Sequence, residues 1–385
     1  MRKKITKIAS FLLTGAMLLS LSACDFGVLM DKVINGDWEG AINEMLKGED
    51  EPLDPIYTEN LNIHFLELGN KYTGDCTLIK TGDTEVLIDA GSRKSSAGTL
   101  VPYIQQYCTD GKLEYVIATH AHQDHIAGFV GTAEFDGVLE SFEIGTIIDF
   151  PKTDSDADIV YDYYDLRDQL VENGTKHYTA LECYNNENGA QRSYELDEDI
   201  TLNILYQKYY EEEASDENDY SVCVLLSQGI NHYLFTGDLE AHGEESLVEN
   251  NDLPKCKLFK AGHHGSPSSS SNALLEVIEP EIVCVCCCAG SPEYTTNNEN
   301  QFPSQAFINR VGMYTEQIFV TSLAIVEEVI KDGETKYDYT NTSMNGNIVI
   351  SSDGGEVHVQ CSNNNTILKE TAWFQENRTW PAGGK

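Results

Sequence analysis

THAHQDHIAG, residues 119–128, decides how the rest of the chain is read. It follows LEYVIATH (Leu113–His120), whose apolar run predicts a buried strand. Within six residues the chain then presents His120, His122, Asp124 and His125. Three imidazoles and a carboxylate packed so closely suit Zn, Mn or Fe ions. On an extended start, His120 and His122 point the same way and can grip one ion. Asp124 and His125, after a bend into a helix, can reach a second. A surface histidine cluster is the competing reading, but ten histidines in 385 residues make such a grouping rare by chance.

Further polar residues stand at strand ends on either side. Asp89 closes VLIDAG, and a carboxylate there can hold a ligating imidazole from behind. Asp238 in LFTGDLE has the same strand-then-Gly-Asp form and can bridge two metals. In KAGHHGSPSSSS (Lys260–Ser271), one of His263 and His264 can complete a metal shell while the other moves protons. The serines and backbone N–H groups beyond offer donors for an anionic oxygen.

The frame around these residues alternates strand and helix signals. Strands are predicted at 61–68, at Cys76–Lys80 and Val86–Asp89 around a Gly82-Asp83 turn, and at 144–150, 200–206, 221–228, 232–238 and 257–263. A late hairpin turns at Asp353-Gly354-Gly355, and helices are predicted over 100–108 and 159–173. The pattern is α/β, with helices outside the sheets. IVCVCCCAG reads as a buried strand in which Cys284, Cys286, Cys287 and Cys288 act as small hydrophobes, so the ten cysteines after Cys24 predict free thiols instead of a disulfide framework. Glu211–Asp219 reads as a solvated loop, and His177 also falls in a loop context.

Composition bounds the function. The 41% apolar content supports a sizeable core, while 25 Lys+Arg against 63 Asp+Glu leave a net charge of −38. Such a balance argues against binding long nucleic acid, although a short anionic substrate at a metal site is compatible with it. Arg2, Lys3, Lys4 and Lys7 precede a short apolar run ending in Leu21-Ser22-Ala23-Cys24, which resembles a bacterial lipobox. Residues 1–23 are expected to be a removable lipoprotein signal, Cys24 the lipidated residue, and the location extracytoplasmic at a membrane face. Residues 24–58 read as a tether with a short helix near Trp38–Leu46, 59–360 as the main domain, and 361–385 as an Asn-rich tail carrying Trp373 and Phe374.

The set IHFLELG, GDCTLI, VLIDAG, THAHQDH, NDYSVCVLL, LFTGD and GHHGS resembles the metallo-β-lactamase superfamily, and within it the extracellular hydrolase domain of ComEC-type competence proteins and the phosphorylcholine esterase branch. The resemblance implies an αββα sandwich with two divalent ions, Zn or Mn, at one edge. It implies His120 and His122 on the first metal, Asp124 and His125 on the second, and Asp238 as the bridge. It further places His264 as the last ligand, by its likeness to a His-x-Ser element, and Asp89 as the structural carboxylate. Asp124, Asp238 and His263 carry the catalytic roles. One departure stands out: where many members have another histidine before the bridging Asp, this chain has Asn218 or Ser221.

The function implied is a metal-dependent hydrolase, a phosphodiesterase using a metal-bound hydroxide at a binuclear site. Its expected partners are a small or polymeric phosphodiester and the membrane, with nucleic acid disfavoured by charge. Lys255, Lys257, Lys260, Arg93 and Lys94 are the bases nearest the motifs in sequence. A phosphorylcholine-type or teichoic-acid esterase suits a surface lipoprotein better than a nuclease does. The rival class is a surface binding lipoprotein of the same fold, non-catalytic or directed at carboxylic esters or lactones; an adhesion role for the tail is a third reading.

Overall fold

A computed structural model describes residues 60–331 and 334–385. The signal, the lipobox Cys24, the helix near Trp38–Leu46 and the whole of the tether lie outside these residues. No helix among the described residues is long and apolar enough to cross a membrane.

Six strands come first: β1 (Leu61–Phe65), β2 (Thr77–Thr81), β3 (Thr84–Ile88), β4 (Lys112–Ile117), β5 (Glu143–Asp149) and β6 (Lys176–Thr179). Eight follow: β7 (Ser193–Asp197), β8 (Ile200–Leu205), β9 (Cys223–Gln228), β10 (Asn231–Phe235), β11 (Leu258–Lys260), β12 (Ile282–Ala289), β13 (Ile318–Lys331) and β14 (Glu334–Ser343). The chain then returns to the first sheet with β15 (Ile348–Ser352) and β16 (Val357–Cys361). The sheets run β16-β15-β1-β2-β3-β4-β5-β6 and β14-β13-β12-β11-β10-β9-β8-β7.

The two sheets pack face to face. Ile63, Val86, Val116 and Ile147 of the first share one core with Leu202, Val224, Phe235 and Phe319 of the second. The strand period of two then sorts each side chain to a layer. On β12, Cys284 and Cys286 enter this central core, while Val283, Val285 and Cys287 face the other way. There they meet helices through Leu247, Leu274, Ile278, Phe307 and Ile308. Helices Ala97–Tyr107 and Asp158–Glu172 cover the first sheet with Leu100, Ile104, Val160 and Tyr163. This is the αββα sandwich. All ten cysteines from Cys76 to Cys361 are free thiols, nine of them buried.

Some expectations change. His177 lies on β6, not in a loop, and its Nε2 is 2.8 Å from Asp149 Oδ1. Residues 217–220 form a short 3-10 helix in which Asn218 and Asp219 are buried, so the acidic run is only partly solvated. Beyond β16 the chain packs on the second sheet: Leu368 and Phe374 join the helix-side core, and Arg378 donates to the carbonyls of Gln301 and Pro303.

Candidate metal centre

The site forms where parallel β3 and β4 end side by side. Asp89, just past β3, adopts φ 59° and turns its carboxylate across to the next strand end. There it accepts from the Thr119 backbone N–H and hydroxyl, both at 2.8 Å. That clamp sets the start of the loop holding the histidines. His122 stays extended (φ −68°, ψ 146°) and caps a one-turn helix, Gln123–Ile126, which carries Asp124 and His125.

Two facing groups of donors result. His120 Nε2 and His122 Nδ1 lie 3.0 Å apart, and Asn218 Oδ1 is 2.9 Å from the latter. Ser221 Oγ stands 3.4 Å from His120 Nδ1 and accepts the Asp238 backbone N–H at 3.0 Å. Ser221 thus stands behind His120, whereas Asn218 meets the His122 nitrogen that faces His120. In the second group, His125 Nε2 and His264 Nε2 are each 3.1 Å from Asp238 Oδ2 and 3.3 Å from one another. Asp124 Oδ2 is 3.5 Å from His264 Nε2. The rings of His120 and His125 are 4.1 Å apart between centroids, so the two groups adjoin.

The far sides of these rings are already committed. His125 Nδ1 lies 2.7 Å from Asp89 Oδ2, and His264 Nδ1 lies 2.9 Å from the Cys286 carbonyl. As neutral imidazoles they would aim two Nε2 lone pairs at each other across a carboxylate. Only protons or a cation can reconcile that arrangement. Asp238 Oδ1 is also buried without a hydrogen bond. The donor set of imidazole and carboxylate fits a divalent ion.

Local electrostatics agree. Burial opposes charge on His125, yet Asp238 and Asp89 raise it to about 10. His264 is raised as well, by Asp238 and Asp75, against the same burial. Burial would push Asp238 up, but His125, His264, His263 and Lys260 hold it well below the usual carboxylate range. His120 is pushed down, by burial first and then by His125. A divalent ion would displace the protons on His125 and His264.

His263 and His264 both take left-handed backbone, φ 46° and 55°. The kink sends His264 into the interior and leaves His263 on the cavity wall, with Nδ1 3.4 Å from Glu240 and Nε2 3.9 Å from Asp238. Gly237, at φ +54°, lets Asp238 reach the centre: a Cβ there would meet Ser221 Oγ at 2.8 Å.

Several residues enter that sequence reasoning did not assign. Asp75 forms an ion pair with Lys260 and stands 3.1 Å from His264 Nδ1. Together with His125, Asp238 and His264 it forms a group of donors compact enough for a metal. Asp75 sits on the Nδ1 side of both rings, behind the facing Nε2 atoms. Its only sequence signal is GDCTLI, ahead of β2. Tyr294 donates to Asp124 Oδ2 at 2.6 Å from a loop without any motif.

Two further expectations are corrected. The serine run turns mostly away from the site: the Ser270 and Ser271 N–H groups bind the buried Glu244 carboxylate at 2.7 and 2.6 Å, and Arg310 binds the Ser269 and Ser270 carbonyls. Only the Ser268 hydroxyl stays near it, donating to Glu240 at 2.7 Å and lying 3.4 Å from His263 Nδ1. Of the five nearby bases, Lys260 is buried beneath Asp75, while Lys94, Lys255 and Lys257 pair with Asp162, Glu279 and Glu281. Arg93 alone among them lines the cavity of about 460 Å³, with His122, Asp124, Asp238, His263 and Tyr294.

Residues 69–134 match the family model described as the metallo-beta-lactamase superfamily. Over 237 residues the chain is 21% identical to ComE operon protein 3 of Bacillus subtilis, covering 60% of this chain and 25% of that protein. Over 254 residues it is 24% identical to competence protein ComA of Neisseria gonorrhoeae, covering 65% and 30%. Over 108 residues it is 28% identical to recombination protein 2 of Haemophilus influenzae, covering 28% and 13%. The chain therefore spans less than a third of each of these relatives. Among solved structures, the metallo-beta-lactamase fold protein YhfI from Bacillus subtilis aligns at TM-score 0.38 and 12% identity, over 72% of this chain and all of that one.

Proposed function

We propose that this chain, a metallo-β-lactamase superfamily hydrolase with ComEC-like sequence, is a phosphodiesterase that works with two divalent ions, Zn or Mn. The observation that carries the reading is the shared distance of 3.1 Å from Asp238 Oδ2 to both His125 Nε2 and His264 Nε2, beside the His120–His122 pair. In this assignment His120 and His122 would hold one ion and Asp124, His125 and His264 the other, with Asp238 as a carboxylate ligand beside them. The ions supply Lewis acidity, offsetting charge at phosphorus and acidifying an attacking water.

The chain's own residues do the remaining work. Asp89 and the Cys286 carbonyl fix the ring orientation of His125 and His264, so the Nε2 atoms are aimed before substrate arrives. Arg93, 3.1 Å from Glu293 and stacked on Tyr72 at 3.9 Å, presents the cation that orients a phosphodiester anion. Tyr294 steadies Asp124 at the mouth. His263, backed by Glu240, is placed to hand a proton to the departing alkoxide.

A single basic side chain at the cavity suits one phosphodiester and not a long nucleic-acid strand, in keeping with the net charge of −38. The names of the relatives speak of competence and recombination; the charge favours an ester substrate at a surface, where Cys24 would anchor the protein. The test is hydrolysis of bis(p-nitrophenyl) phosphate by the Mn- or Zn-loaded protein, set against p-nitrophenyl acetate and a lactone. The expected result is turnover of the phosphodiester that falls about 10²- to 10³-fold, the loss seen when a principal electrostatic group is removed, in Asp238→Ala. Turnover of the carboxylic esters alone would refute the assignment.

A further inference from the structure

The loop after β12 has two working sides. Glu293 and Tyr294 face the metal-centre cavity, whereas Thr296, Asn298 and Gln301 face a second cavity of about 360 Å³. Tyr337 of β14 and Trp373 of the C-terminal helix line that second cavity. Between them lies a small pocket of about 10 Å³, which shares Tyr294 with the metal-centre cavity and Gln301 with the second cavity, so the two cavities are neighbours along this loop.

The chemistry of the lining differs from that of the metal-centre cavity, whose walls carry Arg93, Asp124, Asp216, Asp238 and Glu293. In a chain with 63 acidic residues, no residue lining this groove is charged. What it offers is two aromatic rings, three side-chain amides and the Thr296 and Tyr337 hydroxyls, beside the apolar Pro292, Ala324 and Val326. The groove is also held in shape. Arg378 stacks on Trp373 at 4.8 Å, Asn298 donates to Asn377 at 3.0 Å, and Asn377 donates to the Trp373 carbonyl at 2.8 Å. Tyr337 is 42% exposed, so its ring is open to a ligand. Held amides and rings bind with little further loss of freedom.

We propose that this groove is a subsite for a polyhydroxylated chain, glycosyl or polyol, which flanks the phosphodiester cleaved at the metal centre. Ring C–H groups of such a chain, slightly positive, lie against the negative faces of Trp373 and Tyr337, and its hydroxyls exchange hydrogen bonds with Asn298, Asn377 and Gln301. The one cation beside the groove, Arg378, is buried behind Trp373 and spent on Asn298 and on the Gln301 and Pro303 carbonyls, so a polyanion gains little. An aliphatic chain would strand the second N–H of each amide. The inference rests on the phosphodiesterase reading, because it supplies the groups on either side of the scissile phosphate.

Calorimetric titration of the full, metal-loaded chain tests it with probes that carry no phosphate: an N-acetylglucosamine tetramer, a linear polyol such as sorbitol, and an uncharged capped peptide. Binding then needs no turnover, so a failed phosphodiesterase assay and a failed subsite are separate results. The expected result is saturable binding of the saccharide or the polyol, weakened at least tenfold by Tyr337→Ala and by Thr296→Arg. Both positions are exposed, so these variants stay informative even if Trp373→Ala fails to fold. Saturation by the saccharide identifies glycosyl units, and by the polyol alone, polyol units. Binding of neither, binding of the peptide alone, or affinity unchanged in both variants would overturn the proposal.

Discussion

Asp89 serves three donors at once: the Thr119 N–H, the Thr119 hydroxyl and His125 Nδ1. Asp89→Ala leaves these buried groups without an acceptor, at roughly 1–3 kcal/mol for each orphaned donor. It should lower stability by about 3 kcal/mol in denaturant unfolding and weaken metal binding 10- to 100-fold, the range for losing a group that orients a ligand. Unchanged metal affinity would show that the clamp does not position His125. Lys260 plays a different part, as a buried cation between Asp75 and Asp238. Lys260→Met should cost the metal-free protein about 3 kcal/mol, the scale for stranding a buried charge. Bound metal should restore part of that, and an equal loss with and without metal would contradict it. The histidine cluster was legible because its members crowd into six residues; Asp75 was not, since only folding brings it beneath His264. Lys260 counted only as one of the bases nearest the motifs, because sequence spacing cannot tell a buried end of β11 from an exposed one.

At the level of elements, the strands that bury one or both faces could be read directly: β9 and β12 fall within the predicted stretches, and β3 and β5 overlap theirs with a shift of one or two residues at the start. β13 and β14 could not. Ile325, Val326, Ile330 and Tyr337 are exposed on this long hairpin, and ETKYDYTNTS is polar on both faces, so no alternation marks the strand. The turn at Gly237 is a firmer matter. Its positive φ and the contact with Ser221 predict that Gly237→Ala loses about 2 kcal/mol and displaces Asp238, read as a lower melting temperature with weaker metal binding. A variant of normal stability and metal content would show the turn to be tolerant. The C-terminal helix is bound into the helix-side core, so Phe374→Ala should cost about 3 kcal/mol in unfolding. A loss below half a kilocalorie would mean that the tail only rests on the surface.

Over the whole molecule, two sheets of opposed strand ends bring carboxylates and imidazoles from both halves to one edge. The metal-free state is consequently pH-sensitive. His125, raised to about 10 from an ordinary value near 6.5, adds stability that is complete below about pH 6.5 and lost as pH climbs through about 10. Asp124 and Asp238, both lowered, add stability present above about pH 4 and lost on further acidification. Metal requires neutral imidazoles, so the gap in melting temperature between metal-loaded and metal-free protein should widen from about pH 6 to about pH 9. A gap that narrows would contradict the proton-for-metal exchange. The central claim is a pair of ions facing a shared carboxylate, and metal content per chain tests it most directly, by elemental analysis after Mn or Zn loading and desalting. Two ions in the wild-type protein, and one or none in Asp238→Asn, is the predicted result. A wild-type protein without stoichiometric metal, or a variant that retains both ions, would contradict it.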